Sequence, residues 1–218
     1  LGILKKNPEL NAVDYDFVYL FKNWFNRGFL ILRPINWETP AHILEKIIAY
    51  EAVHEINSWD ELRLRLAPKD RRCFAFFHPA MQDEPIIFVE VALMNNMPSK
   101  IKDVLEEERQ LIEPHEANVA VFYSISNCQK GLSGISFGNF LIKQVANDLK
   151  FEFNNIKKFV TLSPVPGLRN WIKNKNPKFE LILEKFKKSE QFLKIKPSLM
   201  RYVRDYFLNS DRSDGMPN

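Results

Sequence analysis

The sequence predicts an α/β (α+β layered) fold: a mixed sheet with flanking helices, entered from the end of a helical region. Three observations carry this. Apolar, β-type runs at residues 72–77, 85–93, 118–126 and 158–162 are separated by stretches of helical period. The run 85–93 (P-I-I-F-V-E-V-A-L) is apolar almost throughout, as a central strand covered on both faces should be. Between the third strand and the helix after it lies a Gly/Ser-rich turn, residues 129–138.

In chain order, residues 14–25 read as a helix end, with Phe17, Leu20, Phe21 and Trp24 at a spacing of three to four and Gly28 as its stop. Residues 29–32 form a short β-type run. Thr39 as N-cap and Pro40 at the first position open a helix whose Ile43, Leu44, Ile47 and Ile48 share a face. Ser58 and Glu61 have capping-box spacing for a second short helix. After the strands at 72–77 and 85–93 a helix is expected over 99–108. Next come the strand 118–126 and a helix over 137–151 with Leu141, Val145 and Leu149 on one side. The strand 158–162 and helices over 167–173, 178–193 and 198–208 complete the pattern. Residues 1–26 are expected to be the C-terminal end of a helical domain, and 27–218 the main domain.

With 218 residues the chain can bury one sizeable core. Cys73 and Cys128 are its only cysteines, which gives neither a disulfide framework nor a zinc motif and points to a reducing compartment. No apolar run reaches about 18 residues, so no membrane span and no membrane partner are expected. A net charge of +4 favours an anionic ligand mildly and falls short of a nucleic-acid-binding face. The lysines of 173–196 read as a solvated helix face.

Candidate chemistry sits between residues 122 and 167. Gly131, Gly134 and Gly138 are three of the seven glycines, a clustering that permits positive φ angles and close approach of backbone to ligand. A turn that leaves a strand and opens a helix aims unpaired N–H groups and the helix dipole at an anion, and Ser133, Ser136 and Asn139 can add donors. It lacks the P-loop and dinucleotide spacings. Two readings stay open: an anion pocket, or a strand–helix connection without a ligand. Ser163, in T-L-S-P-V-P-G, lies at the end of a strand and is stiffened by Pro164 and Pro166. From its residues alone it reads as a structural turn, since nothing near it in sequence activates a nucleophile. His42, His54, His78 and His115 have no metal spacing, and His78, at a strand end, reads as a hydrogen-bonded structural histidine. Trp37, Trp59 and Trp171 read as core, and Glu106–Glu107–Glu108 as a solvated helix face.

Several long blocks are similar to the malonyl-CoA decarboxylase family: W-F-N-R-G-F-L, W-E-T-P-A-H-I-L-E-K-I-I-A-Y-E-A-V-H, D-R-R-C-F-A-F-F-H-P-A-M, E-P-I-I-F-V-E-V-A-L, F-Y-S-I-S-N-C-Q-K-G-L-S-G-I-S-F-G-N-F-L-I-K and T-L-S-P-V-P-G-L-R-N-W. They run in order from Trp24 to Trp171. The resemblance implies an acyltransferase-like (GNAT-like) CoA-binding domain and a homo-oligomer formed through the helical domain. It implies conversion of malonyl-CoA to acetyl-CoA and CO2 in fatty-acid metabolism, with no cofactor beyond the CoA of the substrate and no metal. Carried over, Ser133, Gly134, Ile135, Ser136, Phe137, Gly138 and Asn139 line the malonyl-CoA site and Ser163 is the catalytic serine. Some members have glutamate where this chain has Ser136, so an acidic role there does not transfer. The family's catalytic histidine lies in an A-R-F-H-L-x-N-G-A segment after a loop like N-S-D-R-S-D-G-M-P-N, and none of the four histidines here occupies it. The chain is therefore expected to be truncated at both ends and poorly active as a fragment. The implied setting is the cytoplasm of a bacterium, or a mitochondrion or peroxisome. An acyl-CoA N-acyltransferase and a non-catalytic CoA-binding or assembly module are the alternatives.

Overall fold

The computed structural model describes residues 7, 10–132, 135, 137–165, 167–186 and 192–209. They fall into two compact units, Leu1–Ser163 and Pro164–Asn218.

The first unit is built on a five-stranded sheet in the order β1 (Ile31–Ile35), β2 (Arg71–His78), β3 (Met81–Met94), β4 (Val119–Asn127), β5 (Lys158–Thr161). The first three junctions are antiparallel. The last, β4 to β5, is parallel and needs a crossover, which is the helix Gly138–Glu152. The mixed sheet expected from the sequence is the one formed. Every residue of β3 from 85 to 93 is buried, because helices cover both faces of the sheet. On one face Leu141, Val145 and Leu149 of the crossover helix pack on Phe74, Phe76, Val89, Val91 and Phe122. Each such aliphatic side chain contributes about 1.5–3 kcal/mol. On the other face two helices, Ala41–Tyr50 and Trp59–Leu66, set Ile43, Leu44, Ile47, Leu62 and Leu66 on Ala75, Phe77 and Phe88. The helices are numbered α1 (Asn11–Trp24), α2 (Ala41–Tyr50), α3 (Trp59–Leu66), α4 (Lys102–Leu105) and α5 (Gly138–Glu152).

Boundaries differ from expectation where polar side chains compete for backbone. Gly28 does not stop α1. It lies in a 3-10 turn, Arg27–Phe29, whose N–H it donates to Asn26 Oδ1 at 2.8 Å. That turn displaces β1 to Ile31–Ile35, and Pro34 is tolerated there because β1 is an edge strand. Thr39 is not the N-cap of α2: its Oγ1 accepts the Asn36 N–H at 3.0 Å, and Pro40 takes the cap position. The Ser58 hydroxyl does cap α3, accepting the Glu61 N–H at 3.1 Å, while Glu61 reaches past it to the Asn57 N–H at 2.7 Å. The helix expected over 99–108 shrinks to the single turn α4, since the chain turns extended at Glu106, and Glu106, Glu107 and Glu108 form an exposed loop. Trp37 and Trp59 are 39% and 43% exposed and pack edge-to-face on each other at 6.1 Å, so they are not core.

The second unit comprises α6 (Leu168–Lys175), α7 (Pro177–Phe186) and α8 (Phe192–Asn209). Trp171 meets Tyr206 edge-on at 5.6 Å, and Phe179 stacks on Tyr202 at 4.5 Å. Gly167, the N-cap of α6, has φ +79°. A Cβ there would lie 2.7 Å from Tyr206 Oη, so this turn needs glycine twice over.

Candidate active site where β4 leaves β5

The parallel pairing is short. Val119–Phe122 of β4 face Lys158–Thr161 of β5, and the Leu162 N–H then donates to Phe122 O at 2.8 Å. From Tyr123 onward no described strand lies on that side of β4, although β3 accompanies it to Asn127. The divergence coincides with a β-bulge. Val91 pairs with Phe122 and Glu90 with Ser124, which leaves Tyr123 as the extra residue. Ser163 is the second residue past the last β5 pairing, and it is exposed. Among the described residues none hydrogen-bonds its hydroxyl. Ser163 thus lies where β4 loses its parallel neighbour, next to a stretch of β4 whose Tyr123, Ser124 and Ser126 are buried.

Beyond Asn127, where β4 ends, comes the turn that leads into α5. Ser133, Gly134 and Ser136 lie outside the described residues. Ile135 is half-buried, Phe137 is buried, Gly138 starts α5, and Asn139 is exposed. The turn holds Gln129 by its side chain, which donates to Pro85 O at 2.9 Å. The N-cap of α5 is Phe137, which offers no side-chain acceptor; the Phe140 N–H donates to Phe137 O at 3.2 Å, which leaves the Gly138 and Asn139 N–H groups as the ones that can face an anion. Neither Gly131 nor Gly138 has a positive φ; among the described residues only Gly167 does, so the expected backbone freedom lies at the second turn. A cavity of about 340 Å3 adjoins Ile135 and Phe137, walled by Phe25, Lys22 and Arg27, with the Arg27 guanidinium 4.6 Å from the centre of the Phe140 ring.

Two buried carboxylates lie on the α2/α3 side of the bulge. Glu51, at the C-terminus of α2, is 8% exposed. Its Oε1 accepts the N–H groups of Val53 and His54 at 2.9 and 2.8 Å, and the Ser124 hydroxyl at 2.7 Å. Its Oε2 accepts the Ser126 hydroxyl at 3.2 Å, and Ser126 Oγ in turn accepts the Ala52 N–H at 3.1 Å. His54 Nε2 lies 3.1 Å from Tyr123 O. A carbonyl only accepts, so this nitrogen carries the proton. Burial holds the His54 pKa below its ordinary value, with Arg65 adding to the effect and Glu51 opposing it.

Glu90 is fully buried and pairs through Oε2 with Arg65 at 3.1 Å. Its Oε1 and the Tyr123 hydroxyl have no hydrogen-bond partner among the described residues. Burial raises the Glu90 pKa to about 7 against the pull of Arg65. Burial, and then the Glu90 charge, push the Tyr123 phenol well up.

The sequence reading singled out neither Glu51 nor His54. A signal existed: Ser124 and Ser126 alternate in an otherwise apolar strand, and hydroxyls on a buried face require buried partners. His78 keeps its structural role, with Nδ1 accepting the Ala80 N–H at 3.2 Å and its ring packed 5.0 Å from Phe25.

A family model described as the malonyl-CoA decarboxylase C-terminal domain matches residues 28–217. The chain belongs to the malonyl-CoA decarboxylase family. The mitochondrial malonyl-CoA decarboxylase of Anser anser anser is 38% identical over 155 residues, 70% of this chain and 31% of that protein. Its counterpart in Rattus norvegicus is 34% identical over 171 residues, 78% of this chain and 35% of that protein. Among solved structures, the malonyl-CoA decarboxylase of Rhodopseudomonas palustris matches with a TM-score of 0.87 at 49% identity, covering 100% of this chain and 56% of that one. That of Agrobacterium vitis gives 0.78 at 55%, covering 93% and 51%. The chain thus spans about a third of the length of these curated relatives and about half of these solved chains. No described helix is long and apolar enough to cross a membrane.

Proposed function

We propose that this chain carries the substrate site of a malonyl-CoA decarboxylase, which converts malonyl-CoA to acetyl-CoA and CO2 in fatty-acid metabolism. The observation that carries the reading is the parting of β4 and β5, which leaves β4 beyond Tyr123 without a parallel neighbour between Ser163 and the turn at the start of α5. Four residue steps separate Tyr123 from Asn127, the end of β4, roughly 13 Å of strand, along which part of an extended phosphopantetheine arm can lie. The two amides of that arm can pair with a strand edge as an added strand would. The pyrophosphate then meets the N-terminus of α5, with Ser133, Gly134, Ile135, Ser136, Phe137, Gly138 and Asn139 lining it, and the malonyl thioester arrives at Ser163.

The chemistry suits that placement. The bond between the α-carbon and the carboxylate breaks, CO2 leaves, and the electron pair moves onto the thioester oxygen as an enolate. A proton added to carbon then gives acetyl-CoA. The thioester is the electron sink, so we assign no cofactor beyond the CoA of the substrate. Ser163, whose hydroxyl has no protein partner among the described residues, donates a hydrogen bond to the malonyl group as charge shifts. The exposed aromatic residues Tyr15, Phe17 and Tyr19 of α1 support assembly of a homo-oligomer through the helical region. The mitochondrial relatives support an organellar setting for a eukaryotic source, with the cytoplasm the counterpart in a bacterium.

The test is acetyl-CoA and CO2 formation from malonyl-CoA by the protein as its gene encodes it. Ser163→Ala is expected to lower kcat about 100-fold or more while CoA still binds. A wild-type protein that forms no acetyl-CoA overturns the reading. Release of CoA that depends on an added amine would put an N-acyltransferase in its place, and saturable CoA binding without chemistry a binding module.

A further inference from the structure

The segment after α2 reaches β4 only where β5 has left it. Its contacts fall on Tyr123, Ser124 and Ser126, and none falls on Val119–Phe122, the stretch that β5 pairs. The first half of β4 is held from both sides by strands. The second half has β3 on one side and no parallel neighbour, and the loop that Glu51 organises holds Tyr123 O and the Ser124 and Ser126 hydroxyls.

That support matters because of the bulge. An extra residue in an antiparallel pair is a place where register can shift, and a one-residue slip turns side chains to the opposite face. The peptide at risk joins Tyr123 to Ser124, one residue past the Phe122–Leu162 hydrogen bond that precedes Ser163. In a trans peptide the carbonyl and the following N–H point in opposite directions, so a bond to Tyr123 O also fixes where the Ser124 N–H points. His54 supplies that bond, and Glu51 fixes His54 by accepting its backbone N–H.

We infer that His54 is a positioning residue for the reaction: by fixing the bulge peptide of β4 it fixes the neighbouring Phe122 carbonyl, which holds Leu162 and so sets the place of Ser163. This rests on the malonyl-CoA reading above. His54 touches no reacting atom in this role. It acts through Tyr123 O, and Glu51 acts through His54.

The proposal is tested by steady-state kinetics on the protein as its gene encodes it. His54→Leu removes the donor and keeps the bulk, and kcat is expected to fall about 10- to 100-fold with KM for malonyl-CoA within about threefold of wild type. His54→Gln, whose Nε2 reaches a similar place, is expected to restore kcat to within about threefold of wild type, and the melting temperatures of all three proteins to agree within about 3 °C. A structural histidine would not produce that combination. An unchanged kcat in His54→Leu overturns the inference, as does a loss of kcat that tracks the melting temperature and is not rescued by Gln. Should His54→Leu fail to fold, His54→Asn, too short to reach Tyr123 O, takes its place with the same expected outcome. A wild-type protein without decarboxylase activity sinks the functional reading and this inference together, whereas an active wild type matched by His54→Leu sinks the inference alone.

Discussion

Glu51 and Glu90 are buried a few residues from the same bulge, yet they are held in opposite ways. Glu51 is surrounded by neutral donors: two backbone N–H groups and two hydroxyls occupy its oxygens. Glu90 has one cation, Arg65, on one oxygen and no partner for the other among the described residues. Neutral donors in fixed positions stabilise a carboxylate and tie down the backbone that carries them. A single guanidinium offsets only part of the cost of burying a charge, so the Glu90 carboxyl titrates near 7. The first arrangement fixes geometry, while the second stores a titratable proton under the sheet.

The difference can be broken most forcefully at Glu51. Glu51→Leu leaves the Ser124 and Ser126 hydroxyls and two N–H groups without their acceptor, and should lower stability in urea unfolding by about 3–5 kcal/mol. A loss under about 1 kcal/mol would mean the donors find other partners and the cluster fixes little. Arg65→Met comes next. At pH 8 it strands a buried Glu90 charge and should cost about 3 kcal/mol, whereas at pH 5.5 the carboxyl is protonated and the cost should be distinctly smaller. Equal costs at both pH values would show that Glu90 does not titrate in that range.

A third measurement reads the proton directly. The folded Glu90 pKa, about 7, lies above the ordinary 4.5, so the folded state binds the extra proton between those values. Stability should therefore fall as pH rises from about 4.5 through 7, by on the order of 3 kcal/mol from this group, and Glu90→Gln should flatten that slope. A wild-type slope that survives Glu90→Gln would assign it elsewhere. The smallest effect supplies a yardstick. Ser58→Ala removes one neutral hydroxyl acceptor from one N–H at the start of α3 and should cost about 1 kcal/mol, against which each Glu51 bond can be scaled.

Much of the scaffold was legible in the sequence because it depends on side chains close together in the chain. The unbroken apolar run of β3, the helical spacing of Leu141, Val145 and Leu149, and the Ser58 cap are local patterns, and each became the element it predicted. The misses have local competitors: Asn26 closing a turn at Gly28, Asn36 engaging Thr39, and Asp103 taking the Ser99 and Lys100 N–H groups ahead of α4. At the site, Ser163 was legible as a strand-end serine before proline. Its position where β4 loses its parallel neighbour was not, because β4 and β5 are far apart in the chain and meet only in the fold. The glycines of the turn after β4 suggested left-handed backbone, but the one described glycine that needs it is Gly167. The Glu51–His54–Ser124–Ser126 cluster joins residues 69 to 75 positions apart, so no spacing rule brings them together.

By itself the sequence determined which segments become strands and helices, and which residues face a core. Those follow from the two-residue and 3.6-residue periods of a chain that must bury apolar surface. It also placed a serine at the end of β5 and a glycine-rich turn at the end of β4. Only the tertiary structure decided where along β4, between that serine and that turn, parallel pairing stops. It alone decided that this point is braced by a carboxylate and a histidine from a loop far away in sequence. A buried bulge needs partners for its polar groups, and only the fold brings them within reach.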